Sequence, residues 1–325
     1  MDKILRAQVA IARSDLRTAR SALETVPSGG RVGAQREYLL GRLALGEYHA
    51  REAEVAFRRA LDLDPELSDA RRALIYILGI QVRRRETLEQ FAELAERGPM
   101  LPALVQDWCV SHDTIGDPAK VVPDLRKIVE ADPGDNRSRL ALADAYRQLG
   151  QYEEAAGVLA YLDPAEPDTR SALAELATAR GDMDEARQLL EDGPIDHPGL
   201  ARQRGMLALA RRDYAGAREN LERADQAESN CRDVILGLGL ALRGLGETKA
   251  ADRLVERATA QHTVRTRLIS SVDHPPSSPE EFCELGRACE SAGWNDEARA
   301  WYRLAVAASP TDAAAQEALY RLRTP

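Results

Sequence analysis

The stretch GWNDEARAWYRLAVAASPTD, residues 293–312, is the clearest copy of a pattern that recurs along this chain. GQYEEAAGVLAYLDP at residues 150–164 and GEYHAREAEVAFRRALDLDP at residues 46–65 repeat it. Each copy has a glycine, an aromatic residue one or two positions later, a small residue and then an apolar one. Such self-similarity indicates that the fold is built from repeated units.

The length of the unit follows from the spacing of prolines and glycines. Pro65, Pro99 and Pro133 are 34 residues apart, as are Gly205 and Gly239. If these prolines are placed at position 32 of a 34-residue frame, the repeats begin near residues 0, 34, 68, 102, 136, 167, 198, 232 and 279.

Three positions of this frame carry the same kind of residue throughout the chain. Position 8 is small in eight of nine repeats, as at Gly286, and position 20 is alanine in seven of nine, as at Ala298. Position 24 is apolar in every repeat, as at Tyr302. Small residues at 8 and 20 allow two antiparallel helices to approach closely, and the large residue fills the space beside them. A glycine in the polar turn between the helices ends the first of them in a left-handed conformation.

This pattern resembles the tetratricopeptide repeat, a 34-residue helix-turn-helix unit with small, aromatic and proline positions at these offsets. The resemblance covers about 310 of the 325 residues. It implies an all-α, right-handed superhelix (an α-solenoid) of about nine helix pairs and a C-terminal capping helix. The expected segments are eight tandem repeats over 1–262, an inserted helix or linker over 263–278, a ninth repeat over 279–312 and a capping helix over 313–325.

Four of the expected repeats depart from the pattern. The third and fourth are degenerate, because Ile75, Thr87 and Val121 replace small residues, and we expect looser helix spacing there. The fifth and sixth are each three residues short. In the insert, Val264, Leu268 and Val272 recur every four residues, so either the eighth repeat's last helix is prolonged or an extra helix follows it.

Composition favours a protein partner over a nucleic acid or a membrane. The net charge is −9 and the isoelectric point is about 5.3, whereas a surface that follows phosphates needs a surplus of lysine and arginine. Four cysteines without a C-x-x-C pair indicate reduced thiols. No signal peptide and no apolar window long enough for a membrane helix is present, so the default expectation is a cytoplasmic location.

The sequence contains no recognisable catalytic, cofactor or metal motif, and we expect neither enzymatic activity nor a cofactor. Cys109 and His112 have a spacing compatible with two metal ligands, but two are too few, and packing is the expected role. Trp108 and Trp301 are also expected to pack in the interior and not to form a cage for a ligand. Trp294, in a turn, could have either of these two roles. The arginine run 83–85 indicates a solvated turn.

The resemblance also implies where a partner binds, because the first helix of each tetratricopeptide repeat lines the inner surface with frame positions 2, 5, 9 and 12. In the second and third repeats these positions place two phenols and two guanidinium groups side by side. That combination suits an acidic peptide or a C-terminal carboxylate. The candidate peptide-binding residues are Gln35, Tyr38, Arg42, Arg72 and Tyr76.

The same positions of the seventh and eighth repeats form an apolar strip of Met206, Leu209, Leu236 and Leu240. Such a strip is expected to be covered, either by a partner or by the insert folding back, and the insert is favoured because it is close along the chain. Asparagine never occurs at position 9, which argues against the carboxylate clamp of chaperone-binding relatives and the asparagine ladder of glycosyl-transferase arrays.

These observations predict a non-catalytic scaffold or adaptor that binds a protein or peptide in its groove. The alternative is a structural subunit, or a self-associating array, that uses its edges. The oligomeric state and the identity of the partner stay open at the level of the sequence.

Overall fold

The computed structural model describes residues 3–112, 117–228, 230–271 and 275–323. Over these ranges the chain forms nineteen α-helices and no strand, which confirms the all-α fold class. The helices are α1 Lys3–Ala12, α2 Leu16–Glu24, α3 Gly30–Gly46, α4 Ala50–Leu63, α5 Ser68–Ile80, α6 Arg84–Glu96, α7 Pro102–Val110, α8 Pro118–Ala131, α9 Asn136–Gln148, α10 Tyr152–Leu159, α11 Pro167–Arg180, α12 Met183–Glu191, α13 Pro198–Ala210, α14 Tyr214–Ala227, α15 Arg232–Gly244, α16 Thr248–Ser270, α17 Pro279–Ser291, α18 Asn295–Ala308 and α19 Ala313–Arg321.

The small and large positions of the frame meet inside helix hairpins. A Cβ atom added at Gly286 would lie 2.6 Å from Cε1 of Tyr302, and one added at Gly41 would lie 2.5 Å from Cε1 of Phe57. Both rings are fully buried. These contacts join frame position 8 of the first helix to position 24 of the second, so glycine at position 8 allows a buried ring to lie against the helix backbone.

The turn between the two helices of a repeat has a left-handed residue at frame position 15 in every repeat whose turn is described. Glycine fills this position in four repeats, as Gly150, Gly181, Gly246 and Gly293. Four other repeats adopt the same conformation with residues that have a Cβ atom: Ser14, Tyr48, Val82 and Arg212. The turn is therefore set by the packing of the hairpin, and glycine only lowers its cost.

The helices belong to two compact units. The first unit is Met1–Arg97 with Asp117–Leu159, and the second is Gly98–Gly116 with Ala160–Pro325. The first unit contains the hairpins α1–α2, α3–α4 and α5–α6, followed by α8, α9 and α10. Its core includes Phe57, Leu74, Ile77 and Ile128, so α8 contributes to the same cluster as α4 and α5.

The second unit contains the hairpins α11–α12, α13–α14, α15–α16 and α17–α18, together with α19 and α7. Helix α16 is one helix of 23 residues, so the eighth repeat's last helix is prolonged into the insert as far as Ser270. Helix α19 packs against α18, and Asp312 caps it by accepting a hydrogen bond from the backbone N–H of Ala315 at 3.0 Å.

The fourth repeat differs from its neighbours. Its first helix, α7, belongs to the second unit and packs against α16 and α18, whereas its second helix, α8, belongs to the first unit and packs against α9. Leu125 of α8 is buried with Ala141, Leu142 and Ala145 of α9. The apolar face of each helix is thus buried by helices other than its partner in the repeat frame.

Candidate binding surfaces

The five predicted peptide-binding residues, here called the N-terminal surface, lie on two neighbouring helices of the first unit. Gln35, Tyr38 and Arg42 are on α3, and Arg72 and Tyr76 are on α5. Frame positions one turn apart place the side chains of each helix along one face. Gln35 and Tyr38 are half-buried, while Arg42, Arg72 and Tyr76 are exposed.

Among the described residues, Arg42 is the cation of this surface that has no carboxylate partner. Its guanidinium carbon lies 6.0 Å from the centroid of the Tyr38 ring, and the Tyr38 ring contacts the buried ring of Phe57 at a centroid distance of 6.0 Å. Over the residues described, Arg42 makes no ion pair within 4.0 Å. The guanidinium is therefore oriented by an aromatic face and free to bind an anion.

Arg72 is placed differently from Arg42. Its guanidinium donates a hydrogen bond to the carboxylate of Asp69, three residues earlier on the same helix. Both side chains are exposed, and exposed pairs of this kind contribute little to stability. A ligand carboxylate can therefore replace Asp69 at little energetic cost.

Tyr76 lies at the border between the N-terminal surface and α8. Its side chain is 45% exposed, and partial burial together with the nearby Asp124 carboxylate raises the pKa of its phenol. Beside it, Lys127 of α8 donates a hydrogen bond to the Tyr48 hydroxyl at 3.1 Å. The phenol of Tyr76 thus stays protonated and can donate a hydrogen bond.

A bidentate ion pair that sequence reasoning missed joins the end of α8 to α4 within the first unit. Nε and Nη2 of Arg51 each donate a hydrogen bond to the Asp132 carboxylate at 2.7 Å. This pairing with Arg51 lowers the pKa of Asp132. Nothing in the repeat frame predicts it, because the two residues are 81 positions apart.

The four residues of the apolar strip lie on α13 and α15 of the second unit. Met206, Leu209 and Leu236 are half-buried, and Leu240 is 45% exposed. A Cβ atom added at Gly237 would lie 3.4 Å from Cδ1 of Leu209 and 3.5 Å from Sδ of Met206. The backbone of α15 at Gly237 thus lies next to Leu209 and Met206 of α13, so the two helices place their parts of the strip side by side.

The sequence analysis favoured the insert as the cover of this strip, and the described start of the insert lies against α7. The prolonged end of α16 packs against α7, where Leu268 is fully buried and its carbonyl accepts a hydrogen bond from Nε2 of Gln106 at 2.8 Å. Ile269 is exposed, and Val272 lies outside the described residues. Of the apolar residues of the insert, Leu268 is thus buried at the contact with α7, while Leu240 of the strip is exposed to solvent.

Two residues predicted to pack in the interior, Cys109 in α7 and His112 just after it, contact side chains of the α17–α18 hairpin. Sγ of Cys109 lies 3.8 Å from Sγ of Cys289, and Nε2 of His112 lies 2.6 Å from Oε1 of Glu297. The imidazole of His112 also stacks on Trp294 at a centroid distance of 4.4 Å. All five side chains are buried, so Trp294 in the turn is a packing residue like Trp108 and Trp301.

The arginine run at residues 83–85 only partly forms the solvated turn that the sequence suggested. The side chain of Arg83 is 11% exposed and bridges Glu54 and Glu86. Burial alone would raise the pKa of Glu54, but hydrogen bonds from Arg83 and Arg58 lower it overall. Arg85, by contrast, is exposed.

No metal site or membrane-spanning helix is found within the described ranges. Over residues 3–112, 117–228, 230–271 and 275–323, no three histidine, cysteine or acidic side chains group as metal ligands do. Within the same ranges no helix has both the length and the apolar character needed to cross a bilayer.

Comparison with known proteins identifies two matching family models, both described as the tetratricopeptide repeat. One matches residues 116–172 and 157–209, and the other matches residues 236–313. Together they cover more than half of the chain. No curated protein sequence matches.

Three solved structures resemble the chain at low sequence identity. They are a chain of the APC/C hetero-tetramer Cut9-Hcn1 (15% identity, 94% of this chain, 59% of that chain, TM-score 0.44), a monomeric IFIT1 mutant with Gppp-AAAA (14%, 92%, 79%, 0.42) and yeast Tom70 (15%, 89%, 63%, 0.38). This chain thus spans less than two thirds of the length of the Cut9-Hcn1 chain.

Proposed function

Because the chain belongs to the tetratricopeptide-repeat family, we propose that it is a non-catalytic scaffold or adaptor that binds a protein or peptide through the inner faces of its first helices. Its ligand is an acidic or C-terminal segment held at the N-terminal surface. The single observation that carries this proposal is Arg42, an exposed cation that rests on Tyr38 and has no carboxylate partner over the described residues.

The chemistry of this surface suits an extended carboxylate-bearing segment. A carboxylate accepts two parallel hydrogen bonds from a guanidinium, an arrangement that fixes both position and direction. Arg42 offers that fork directly, and Arg72 offers a second once Asp69 is displaced. The amide of Gln35 and the phenol of Tyr76 are available for hydrogen bonds to the ligand backbone.

The apolar strip supplies a second contact of a different kind. Leu240 exposes 45% of its side chain beside the half-buried Met206, Leu209 and Leu236. Covering a leucine of this exposure with an apolar ligand residue contributes about 1 kcal/mol of binding free energy. An apolar segment of a partner therefore has a contact of its own, independent of the N-terminal surface.

The test compares two double variants with the same change in charge. Arg42→Glu/Arg72→Glu reverses two charges on the N-terminal surface. The control, Arg59→Glu/Arg85→Glu, reverses two charges away from that surface, at exposed arginines on second helices of the same unit. Partners captured from native lysate on the wild-type protein are identified by mass spectrometry, purified and titrated against each variant by calorimetry.

We expect the first variant to weaken binding at least about tenfold, since charge-assisted contacts are replaced by repulsion. The control variant should bind within about twofold of wild type. Equal affinities of wild type and the Arg42→Glu/Arg72→Glu variant would show that the partner binds elsewhere. Wild-type affinity should also fall as salt concentration rises.

The alternative function, self-association through the edges of the array, is favoured by one feature of α1. Its Leu5 is 49% exposed and its Val9 is 37% exposed on the same helix face. A neighbouring copy would cover this face. Size-exclusion chromatography with light scattering over a wide concentration range decides the matter, because a monomer at every concentration excludes this alternative.

A further inference from the structure

Two cysteines that are far apart in sequence meet at the contact between α7 and α17. We propose that Cys109 and Cys289 form a redox modification site, whose oxidation by a small-molecule disulfide joins α7 covalently to α17. The two sulfur atoms are 3.8 Å apart and the residues are 180 positions apart. Both side chains are fully buried, and both cysteines are free.

The geometry requires only a small movement of the sulfur atoms. A disulfide bond is about 2.05 Å long, so the sulfurs must approach by about 1.8 Å. Rotation of the two side chains about their Cα–Cβ bonds moves the sulfur atoms by such distances without breaking either helix. The other two cysteines differ: the thiol of Cys283 contacts the Asp312 carboxylate at 3.5 Å, and Cys231 is free and half-buried.

Neighbouring contacts hold α7 in the register that keeps these sulfurs together. Three residues before Cys109, in the middle of α7, Gln106 donates a hydrogen bond to the carbonyl of Leu268. Just after its end, His112 is paired with Glu297 and stacked on Trp294. The two contacts lie on either side of Cys109, so the cysteine cannot slide along α17 while both are intact.

The reaction proceeds by two thiol–disulfide exchanges and is balanced in electrons. One cysteine thiolate attacks a sulfur of oxidised glutathione, which forms a mixed disulfide and releases one glutathione thiolate. The second cysteine attacks the protein sulfur of that mixed disulfide, which forms the Cys109–Cys289 bond and releases the second glutathione. The protein loses two electrons and two protons, and one glutathione disulfide becomes two thiols.

Burial makes the oxidation of these two cysteines slow. It raises the pKa of the Cys289 thiol, so little of the reactive thiolate is present at neutral pH. A glutathione molecule reaches the sulfurs only when α7 lifts from α17. Oxidation should therefore require hours at neutral pH and accelerate as the pH rises.

The experiment incubates the full-length wild-type protein with oxidised glutathione at pH 8 and then counts thiols under denaturing conditions. The chain has four cysteines, and we expect two of them to be lost. The protein mass should fall by about 2 Da, the mass of two hydrogens lost in forming one disulfide. Peptide mapping without reductant should show one crosslink, between the peptide with Cys109 and the peptide with Cys289. The melting temperature should rise by several degrees, because the bond closes a long loop in the unfolded chain.

Matched variants separate this site from other thiol chemistry. Cys231→Ser/Cys283→Ser should give the same mass loss and the same rise in melting temperature, whereas Cys109→Ser and Cys289→Ser should give neither. Four thiols that persist after prolonged oxidation, or a crosslink between any other pair, would overturn the proposal. So would a covalent dimer formed when the Cys109→Ser and Cys289→Ser proteins are mixed and oxidised, because α7 would then pack on a second copy.

Discussion

The hairpin α17–α18 and the helices α7 and α8 occupy the same positions of the repeat frame but pack in different ways. In the ninth repeat, Gly286 at position 8 lies against Tyr302 at position 24. In the fourth repeat, Cys109 at position 8 contacts Cys289, and Leu125 at position 24 packs in the cluster formed with α9. The repeat code therefore specifies which faces are buried, and the neighbouring helices decide what buries them.

The cause of the difference lies partly in the length of α16. Its prolonged end buries Leu268 and accepts the hydrogen bond of Gln106, so it supplies one side of the site that α7 occupies. The α17–α18 hairpin supplies the other side, through Cys289, Trp294 and Glu297. The insert and the irregular fourth repeat are thus two parts of one feature.

The largest expected effect tests whether α7 is as firmly packed as the ninth repeat itself. Trp108 of α7 and Trp301 of α18 are both buried, so Trp108→Ala and Trp301→Ala should each lower the free energy of unfolding by about 3–5 kcal/mol. Urea titrations followed by circular dichroism at 222 nm measure both losses. A loss below about 1 kcal/mol for Trp108→Ala alone would mean that α7 is loosely attached.

The next effect tests the close contact that the regular hairpin has and the fourth repeat lacks. Gly286→Ala places a methyl group against the buried ring of Tyr302 and should cost about 1–3 kcal/mol. Gly46→Ala, at the end of α3 where a Cβ atom meets nothing within 4 Å, serves as the control and should be neutral or slightly stabilising. Equal stabilities of the two variants would contradict the packing described for position 8.

A stabilising substitution tests the shared turn geometry. Val82 has a φ of 59° at frame position 15, where glycine is found in four other repeats. Val82→Gly should stabilise the protein by about 1 kcal/mol, because valine is strained in this conformation and little burial is lost. Val55→Gly, at an equally exposed position within α4, should destabilise by a similar amount. Destabilisation by both variants would show that the turn at Val82 is not left-handed in solution.

The smallest effect concerns the pair that fixes α8 in the first unit. Because Arg51 lowers the pKa of Asp132, the pair stabilises the fold above the unfolded carboxyl pKa of about 3.9, and this stability is lost as the pH falls through the lower folded value. Asp132→Asn should therefore cost less than about 1 kcal/mol at pH 7, and a smaller amount at pH 2. Urea titrations at both pH values measure the cost, and a cost as large at pH 2 as at pH 7 would assign the effect to lost packing.

Much of the fold could be predicted from the sequence because the repeat constrains local packing directly. The starts of seven first helices fall on the first residue of the predicted frame. Proline is that residue in α7, α11, α13 and α17, and Asp135 caps α9, so a local signal marks five of these starts. Helices α5 and α15 begin there without either signal. The left-handed turn was also predicted, but only where glycine marks it. Val82 and Arg212 adopt it without any local signal.

The helices that α7 packs against could not be predicted, because nothing in the sequence of residues 98–117 specifies them. Cys109 and His112 were correctly interpreted as packing residues, yet their partners lie 180 and 185 residues away. The candidate surfaces could be predicted in part, better than the packing of α7 but less well than the repeat itself. The frame identified Arg42 and Tyr38 as neighbours on one helix face, but it could not show that Asp69 pairs with Arg72 or that α8 borders Tyr76.

The most direct test of the packing of α7 is a double-mutant cycle on the buried pair His112 and Glu297. All three tryptophans of the chain lie in α7, in α18 or in the turn before it, so their fluorescence follows the unfolding of this region. If α7 packs on α18 as described, His112→Gln and Glu297→Gln should show a coupling energy above about 1 kcal/mol. If their effects add to within about 0.5 kcal/mol, the two side chains do not touch and α7 lies elsewhere.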